Sequence, residues 1–169
     1  MTFLLNYCIF PFIPIWICEW AMKLTTKGRF AVSAMVDLAQ HQGEGPVALA
    51  TIAERQEISL SYLEQLFARL RRAGLVVSSR GSGGGYQIAR PIDQVTIAAI
   101  VDAVDEGFDT TRCGGRENCH HDQKCATHHL WENLNVTIQE YLNQITLAQV
   151  VHGEIKPLKS AQVLKRAAS

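Results

Sequence analysis

Between positions 113 and 129 the chain reads CGGRENCHHDQKCATHH, three cysteines and four histidines within 17 residues. Cys113, Cys119 and Cys125 have five residues between each pair, and His128 follows Cys125 by three. Thiolates and neutral imidazoles are the donors that take zinc or iron–sulfur clusters, and three sulfurs with one nitrogen complete a four-donor set for either. Glycine and polar spacers let a loop of this length wrap one centre. His128 lies on the same face as Cys125 if a helix begins there. Zinc fingers usually carry tighter C-x2-4-C knuckles, which weakens zinc without removing it. Spacing alone leaves zinc and iron–sulfur both open, and His120, His121 and His129 crowd the same loop as competing ligands.

The chain holds five cysteines, an odd number, and three fall within 13 residues. That is not the even spread of a secreted disulfide framework, so a metal or redox centre in a reducing, cytoplasmic compartment is expected. At 169 residues the chain suits one ordinary domain or a small domain with an arm. Its 47% apolar and 19% charged content fits a folded protein. Net charge is zero, which excludes a bulk electrostatic argument for a polyanionic partner. Locally the balance differs. Between Leu60 and Pro91 there are five arginines (Arg69, Arg71, Arg72, Arg80, Arg90) against one acid, Glu64, the pattern of either a nucleic-acid-binding patch or a solvated arginine face.

Elements that could position these groups follow from periodicity. Thr25 or Thr26 can cap a helix with Phe30, Ala31, Ala34, Met35, Leu38 and Ala39 on one face. The HQGEGP stretch, residues 41–46, is a loop, and LATIAERQEIS predicts a short helix with Leu49, Ile52 and Ala53 inward. After a turn near Glu57 to Ser59, SLSYLEQLFARLRRAGL predicts a second helix burying Leu63, Leu66, Phe67 and Leu70 and stopping at Gly74. Ser61 and Glu64 have the spacing of a capping box. LVVSS, RGSGGG and YQIAR then predict a strand, a glycine turn and a second strand. A helix-turn-helix followed by a hairpin is a winged helix. The glycine run lacks the lysine and Ser/Thr of a P-loop and matches no G-x-G-x-x-G, so it is expected to turn a wing tip.

In a helix-turn-helix the second helix enters the major groove by its N-terminal residues. Here these are Ser59, Ser61, Tyr62, Glu64 and Gln65: hydroxyls suit phosphates or bases, Gln65 can read adenine, and Glu64 can accept from a cytosine amino group. Arg69 fits a backbone phosphate, and Arg80 beside Gly81 fits the backbone or minor groove at the wing. TIAAIVDAVDEGF predicts a helix capped by Thr96 with Ile97, Ile100, Val101 and Val104 buried. Residues 128–145 predict a long helix with Leu130, Leu134, Ile138, Tyr141, Leu142 and Ile145 in one stripe. Such a helix has little core of its own to cover, so either it dimerises, matching an imperfect palindrome, or it folds back on its own domain. ITLAQVV predicts one more short helical turn.

The first 21 residues are apolar and aromatic, without a basic start or an A-x-A site, and Pro11 and Pro14 interrupt them. Neither a signal peptide nor a membrane span is expected, and Met22 is the expected start of the native chain, the alternative being a membrane-associating tail. Cys8 and Cys18 receive no role. The expected division is 1–21 extension, 22–95 winged helix-turn-helix, 96–150 cluster loop and dimerisation helices, and 151–169 flexible tail. The fold class is mainly α with a small β-wing. No nucleophile–base pair or second cofactor motif supports an enzyme or electron carrier, which leaves a double-stranded-DNA-binding regulator.

From MKLTTKGRF to ITLAQVV the chain resembles the IscR-type family of bacterial winged-helix iron–sulfur regulators. The resemblance rests on LTTKGRFAV, ISLSYLEQLFARLR, RGSGGGY, AVDE and TRC with its C-x5-C-x5-C-x2-H, over about 130 of the 169 residues. It implies a 2Fe-2S cluster on Cys113, Cys119, Cys125 and His128, and a homodimer in which each long helix reaches across to the partner. It further implies repression of cluster-assembly genes when the cluster is bound, regulation of a second promoter class with or without it, and loading by cluster donor proteins of the assembly machinery. A sibling group senses nitric oxide through a 4Fe-4S cluster on a similar cysteine triad; the histidine after Cys125 and the SYLEQLF helix place this chain nearer the IscR type.

Overall fold

Helical periodicity in TKGRFAVSAMVDLAQH produces α1 (Thr26–His41), which buries Ala31, Ala34, Met35 and Leu38. In this computed structural model residues 26–41, 43, 45–81, 83–104, 111, 113–119 and 123–157 are described. The apolar stretch 1–21, His120 and His121, and the tail beyond residue 157 lie outside them. The order continues with α2 (Leu49–Gln56), α3 (Leu60–Arg72), β1 (Val76–Ser79), β2 (Gly85–Ile88), α4 (Ile97–Val104), α5 (His128–Gln144) and α6 (Leu147–Val151).

The helix-turn-helix is built around a backbone conformation unusual for its residue. Glu57 closes α2 in the left-handed region at φ 53°, and the Ile58 amide then donates to the Ala53 carbonyl at 3.0 Å. That sharp turn sets α3 against α2. From α3 the predicted stripe Leu63, Leu66, Phe67 and Leu70 enters the core. Each large side chain buried this way contributes about 1.5–3 kcal/mol. The helix stops at Gly74, φ +69°, through paired bonds: Gly74 N–H to Arg71 O and Leu75 N–H to Leu70 O, both 3.0 Å. This is a Schellman closure, which glycine accommodates without steric cost.

One local expectation is corrected. Ser61 does not cap α3, because the helix begins at Leu60 and its cap position is Ser59, whose side chain makes no capping bond. Ser61 and Glu64 therefore sit inside the first turns, and their spacing forms no capping box.

The wing is antiparallel, with Val76 opposite Ile88 and Ser79 opposite Gly85. Val47 joins it by reciprocal bonds with Tyr86, 2.8 and 2.9 Å, passing so close that a Cβ on Gly85 would lie 2.4 Å from the Val47 carbonyl oxygen. The Tyr86 ring meets Phe67 edge-on at 4.9 Å and pins the wing to α3.

The regions expected as 22–95 and 96–150 share one core. Val95, Ile97, Ile100, Val101, Val104 and Leu147 pack with the α1–α3 residues in a single cluster. Thr96 caps α4 by accepting from Ala99 N–H at 3.1 Å, as expected. Backbone bonds return the chain end to the same place, Ile97 N–H to Ile145 O at 2.9 Å and Leu147 N–H to Val95 O at 2.8 Å. A Thr146–Gln149 capping box starts α6. Between these anchors α5 stands differently. Leu142 and Ile145 pack on the core, whereas Leu130, Trp131, Val136 and Tyr141 are exposed, Leu130 by 62%. The predicted stripe is covered at Leu142 and Ile145 and open at Leu130 and Tyr141.

A buried carboxylate braces α1 to α2. Asp37 accepts from Arg55 Nε at 3.0 and 3.1 Å, from Arg55 Nη2, and from Gln56 Nε2 at 2.9 Å. Among the described residues no helix is long and apolar enough to cross a membrane.

Candidate metal centre and DNA-reading face

The cysteine loop turns back on itself through three residues with positive φ, Gly114, Gly115 and Glu117. Gly115 N–H donates to the Thr111 hydroxyl at 2.9 Å, and His128 N–H to the Cys125 carbonyl at 3.1 Å, fixing the loop to the first turn of α5. Cys113 and His128, 15 positions apart, are both buried there. His128 Nδ1 lies 3.4 Å from Cys113 Sγ and 3.2 Å from Cys119 Sγ, and the two sulfurs are 3.4 Å apart. The ligand atoms of Cys113, Cys119 and His128 all fall within 4.8 Å of one another. Cys125 stands beside this group, half-buried, with its sulfur 3.5 Å from the Thr127 hydroxyl. His129 is exposed and turned to Glu132, Nδ1 to Oε2 3.2 Å.

The thiols divide electrostatically. Burial pushes Cys113 up, but hydrogen bonds with the Cys119 thiol, the Glu117 backbone, the Thr111 hydroxyl and the Gly115 backbone bring it down to about 6. Hydrogen bonds with the Thr127 hydroxyl and the Cys119 thiol lower Cys125. A backbone hydrogen bond at Cys125 lowers Cys119, but burial and hydrogen bonds with the other two thiols outweigh it, so Cys119 ends raised. Cys113 and Cys125 are thus shifted toward the thiolate, the form that ligates metals, and Cys119 away from it. His128 adds a second sign. Its Nε2 is buried with no hydrogen-bond partner among the described residues, an arrangement that costs about 1–3 kcal/mol when left unpaired. The donor chemistry therefore fits a thiolate–imidazole metal or cluster site, with Nδ1 as the nitrogen facing the sulfurs.

On the opposite function the expected reading residues separate. Ser59, Ser61, Glu64 and Gln65 are exposed along the N-terminal half of α3. Tyr62 is half-buried, its ring edge-on to Phe30 at 5.9 Å, so much of it serves packing. Arg69 is half-buried and donates from Nη1 to the Val104 carbonyl at 2.8 Å, tying α3 to the end of α4. Arg80 is exposed at the wing tip, next to Gly81 at φ +110°. Sequence reasoning missed the Asp37 brace and the place of Glu132, one turn after His128; Arg55, at i+18 from Asp37, and Glu132 itself were visible only as ordinary charges on helices.

A winged helix-turn-helix with exposed polar residues on its second helix, joined to a thiol–imidazole group, defines a DNA-binding transcriptional regulator rather than an enzyme. The family model described as Rrf2, iron-dependent transcriptional regulator, matches residues 24–153, and the chain belongs to the Rrf2 family. It is 58% identical over 133 residues to the HTH-type transcriptional regulator IscR of Sodalis glossinidius, covering 79% of this chain and 81% of that one. The IscR of Erwinia tasmaniensis is 54% identical over 133 residues, with the same coverage. Among solved structures it is similar to T. potens IscR, TM-score 0.66 and 41% identity, over 80% of this chain and 90% of that one. It is also similar to CymR, the global cysteine regulator of B. subtilis, TM-score 0.66 and 34% identity, over 77% and 96%. The resemblance read from the sequence is thereby shown.

Proposed function

We propose that this regulator senses iron–sulfur supply through a 2Fe-2S cluster held by Cys113, Cys119, Cys125 and His128, and represses cluster-assembly genes when loaded. The observation that carries the reading is the convergence of Cys113, Cys119 and His128 donor atoms within 4.8 Å at the start of α5. Cys125, next to Cys119, supplies the fourth ligand after leaving Thr127. When bound, the cluster supplies a labile, redox-active occupant whose presence follows supply. Cluster donor proteins of the assembly machinery load it, in the reducing cytoplasm.

The chain's own residues do the rest. The exposed apolar side chains of α5 (Leu130, Trp131, Val136, Tyr141) meet a second copy, and the homodimer reads an imperfect palindrome with one α3 in each half-site. Ser59, Ser61, Tyr62 and Gln65 approach phosphates and base edges, and Arg80 with Gly81 engages the backbone beside the wing. Glu64 accepts from a cytosine amino group on accepted sites and is desolvated without a donor on others, which separates two operator classes. Arg69 gives the loop a mechanical link to the reading helix. It holds α3 to the last carbonyl of α4, from which the chain runs on to Cys113.

Anaerobic purification, with visible absorption and iron, sulfide and zinc analysis, tests the reading. A coloured protein with equal iron and sulfide is expected; a colourless zinc protein would replace the cluster by a structural metal.

A further inference from the structure

We propose that Glu132 is the positioning residue of the thiol–imidazole centre, accepting the Nε2–H of His128 and so holding Nδ1 unprotonated toward the sulfurs. This rests on reading His128 as a ligand. Three observations lead to it. The His128 side chain is fully buried with Nδ1 3.2 and 3.4 Å from two cysteine sulfurs. Its Nε2 has no hydrogen-bond partner among the described residues. Glu132 Oε2 stands 3.9 Å from that Nε2, one helical turn along α5.

A neutral imidazole carries one proton. If Nδ1 offers its lone pair to a metal, the proton is on Nε2, and no described residue receives that N–H. Helical geometry places residues i and i+4 side by side, so a carboxylate at position 132 is the acceptor that the fold brings to this atom. The present 3.9 Å is too long for a hydrogen bond, and the same Oε2 is held by His129 Nδ1 at 3.2 Å. Glu132 is 44% exposed, so a change of rotamer can move it between the two rings. Moving between the two rings, the carboxylate biases the His128 tautomer before any metal is bound, and His129 keeps it within reach. Carboxylates in this outer position fix the tautomer and orientation of a ligating histidine. The competing explanation is that Glu132 only complements the N-terminal end of α5 and pairs with exposed His129.

The experiment uses the full chain without metal, at a pH above 8 where imidazoles are neutral. Long-range 1H–15N NMR of the histidine rings reads the tautomer of His128 in wild type, Glu132→Gln and Glu132→Ala. Wild type is expected as the Nε2–H form. Glu132→Gln keeps an acceptor oxygen and retains that form; Glu132→Ala shifts toward Nδ1–H. Zinc affinity of the same proteins, measured by chelator competition, falls by about 10- to 100-fold in Glu132→Ala and less in Glu132→Gln. Thermal melting serves as the control for folding. An unchanged tautomer and zinc affinity in Glu132→Ala would overturn the proposal, as would equal losses in both variants, which would assign the effect to charge alone. If wild type itself bound neither zinc nor a cluster, the ligand reading would fail instead, while the tautomer would still judge Glu132.

Discussion

Arg69 and Arg80 carry the same charge and come from the same arginine-rich stretch, yet the fold assigns them different work, and salt dependence separates them. Arg80 is exposed at the wing tip, free to meet a phosphate, whereas Arg69 is half-buried and committed to the Val104 carbonyl at 2.8 Å. Each phosphate neutralised by a protein cation adds about 0.9 to the slope of log affinity against log salt. A dimer loses two such contacts in Arg80→Ala, so its slope should become shallower by about 1.8. Between 50 and 200 mM salt, a fourfold change, wild type should then lose about 12-fold more affinity than the variant. Arg69→Ala should leave the slope within experimental error of wild type. It should instead lower stability by about 1 kcal/mol, the contribution of a charged hydrogen bond reduced by solvent access, or about 2–4 °C in melting temperature. Fluorescence anisotropy on one operator across a salt series, with melting curves alongside, gives both numbers. Equal slope changes in the two variants, or none in Arg80→Ala, would refute the assignment.

Further outcomes follow from other positions. Glu64→Ala should let cluster-free protein bind an operator class that it otherwise rejects, by about 10- to 100-fold, with little change on the accepted class; competition binding on both classes checks it. Gly74→Ala forces a side chain into φ +69° and should cost about 1 kcal/mol, seen as a lower denaturant midpoint with unchanged slope. Asp37→Asn breaks a buried brace and should cost about 2 kcal/mol near neutral pH. Burial raises the Asp37 carboxyl, but hydrogen bonds from Arg55 and Gln56 and the charges of Arg55 and His41 hold it below the usual carboxylate range. The stabilisation is therefore full above the unfolded value near 4 and fades as pH falls through the lower folded value, so the gap between wild type and Asp37→Asn in melting temperature should narrow on acidification.

Elements governed by local pattern were legible before any coordinates. Leu63, Leu66, Phe67 and Leu70 recur at helical spacing and do form the buried stripe of α3, and Gly74 ends it for the conformational reason its residue type implies. The cysteine spacing likewise pointed to one centre, and three of its four expected donors converge. Cys125 stands beside them, with its sulfur 3.5 Å from the Thr127 hydroxyl two residues on. Long-range pairings were not legible. Leu147 reads as part of a weak terminal turn, yet it is fully buried, because backbone bonds between residues 92–97 and 145–148 return it to the core. Asp37 lies in a helix where a carboxylate normally faces water, and only Arg55, 18 residues later, explains its burial. The cap of α3 was misplaced by two residues because Ser59 and Ser61 offer the same hydroxyl, and the backbone, not the side chain, decides where a helix begins.

The central claim is that the loop and the first turn of α5 hold a 2Fe-2S cluster. Native mass spectrometry of anaerobically purified protein tests it most directly, because it weighs the occupant and counts the chains together. The expected species is a dimer carrying two iron and two inorganic sulfide atoms per chain, with Cys113→Ala giving a bare dimer of otherwise unchanged mass. A wild-type protein carrying zinc or no metal, or a Cys113→Ala variant retaining the full iron and sulfide mass, would contradict it.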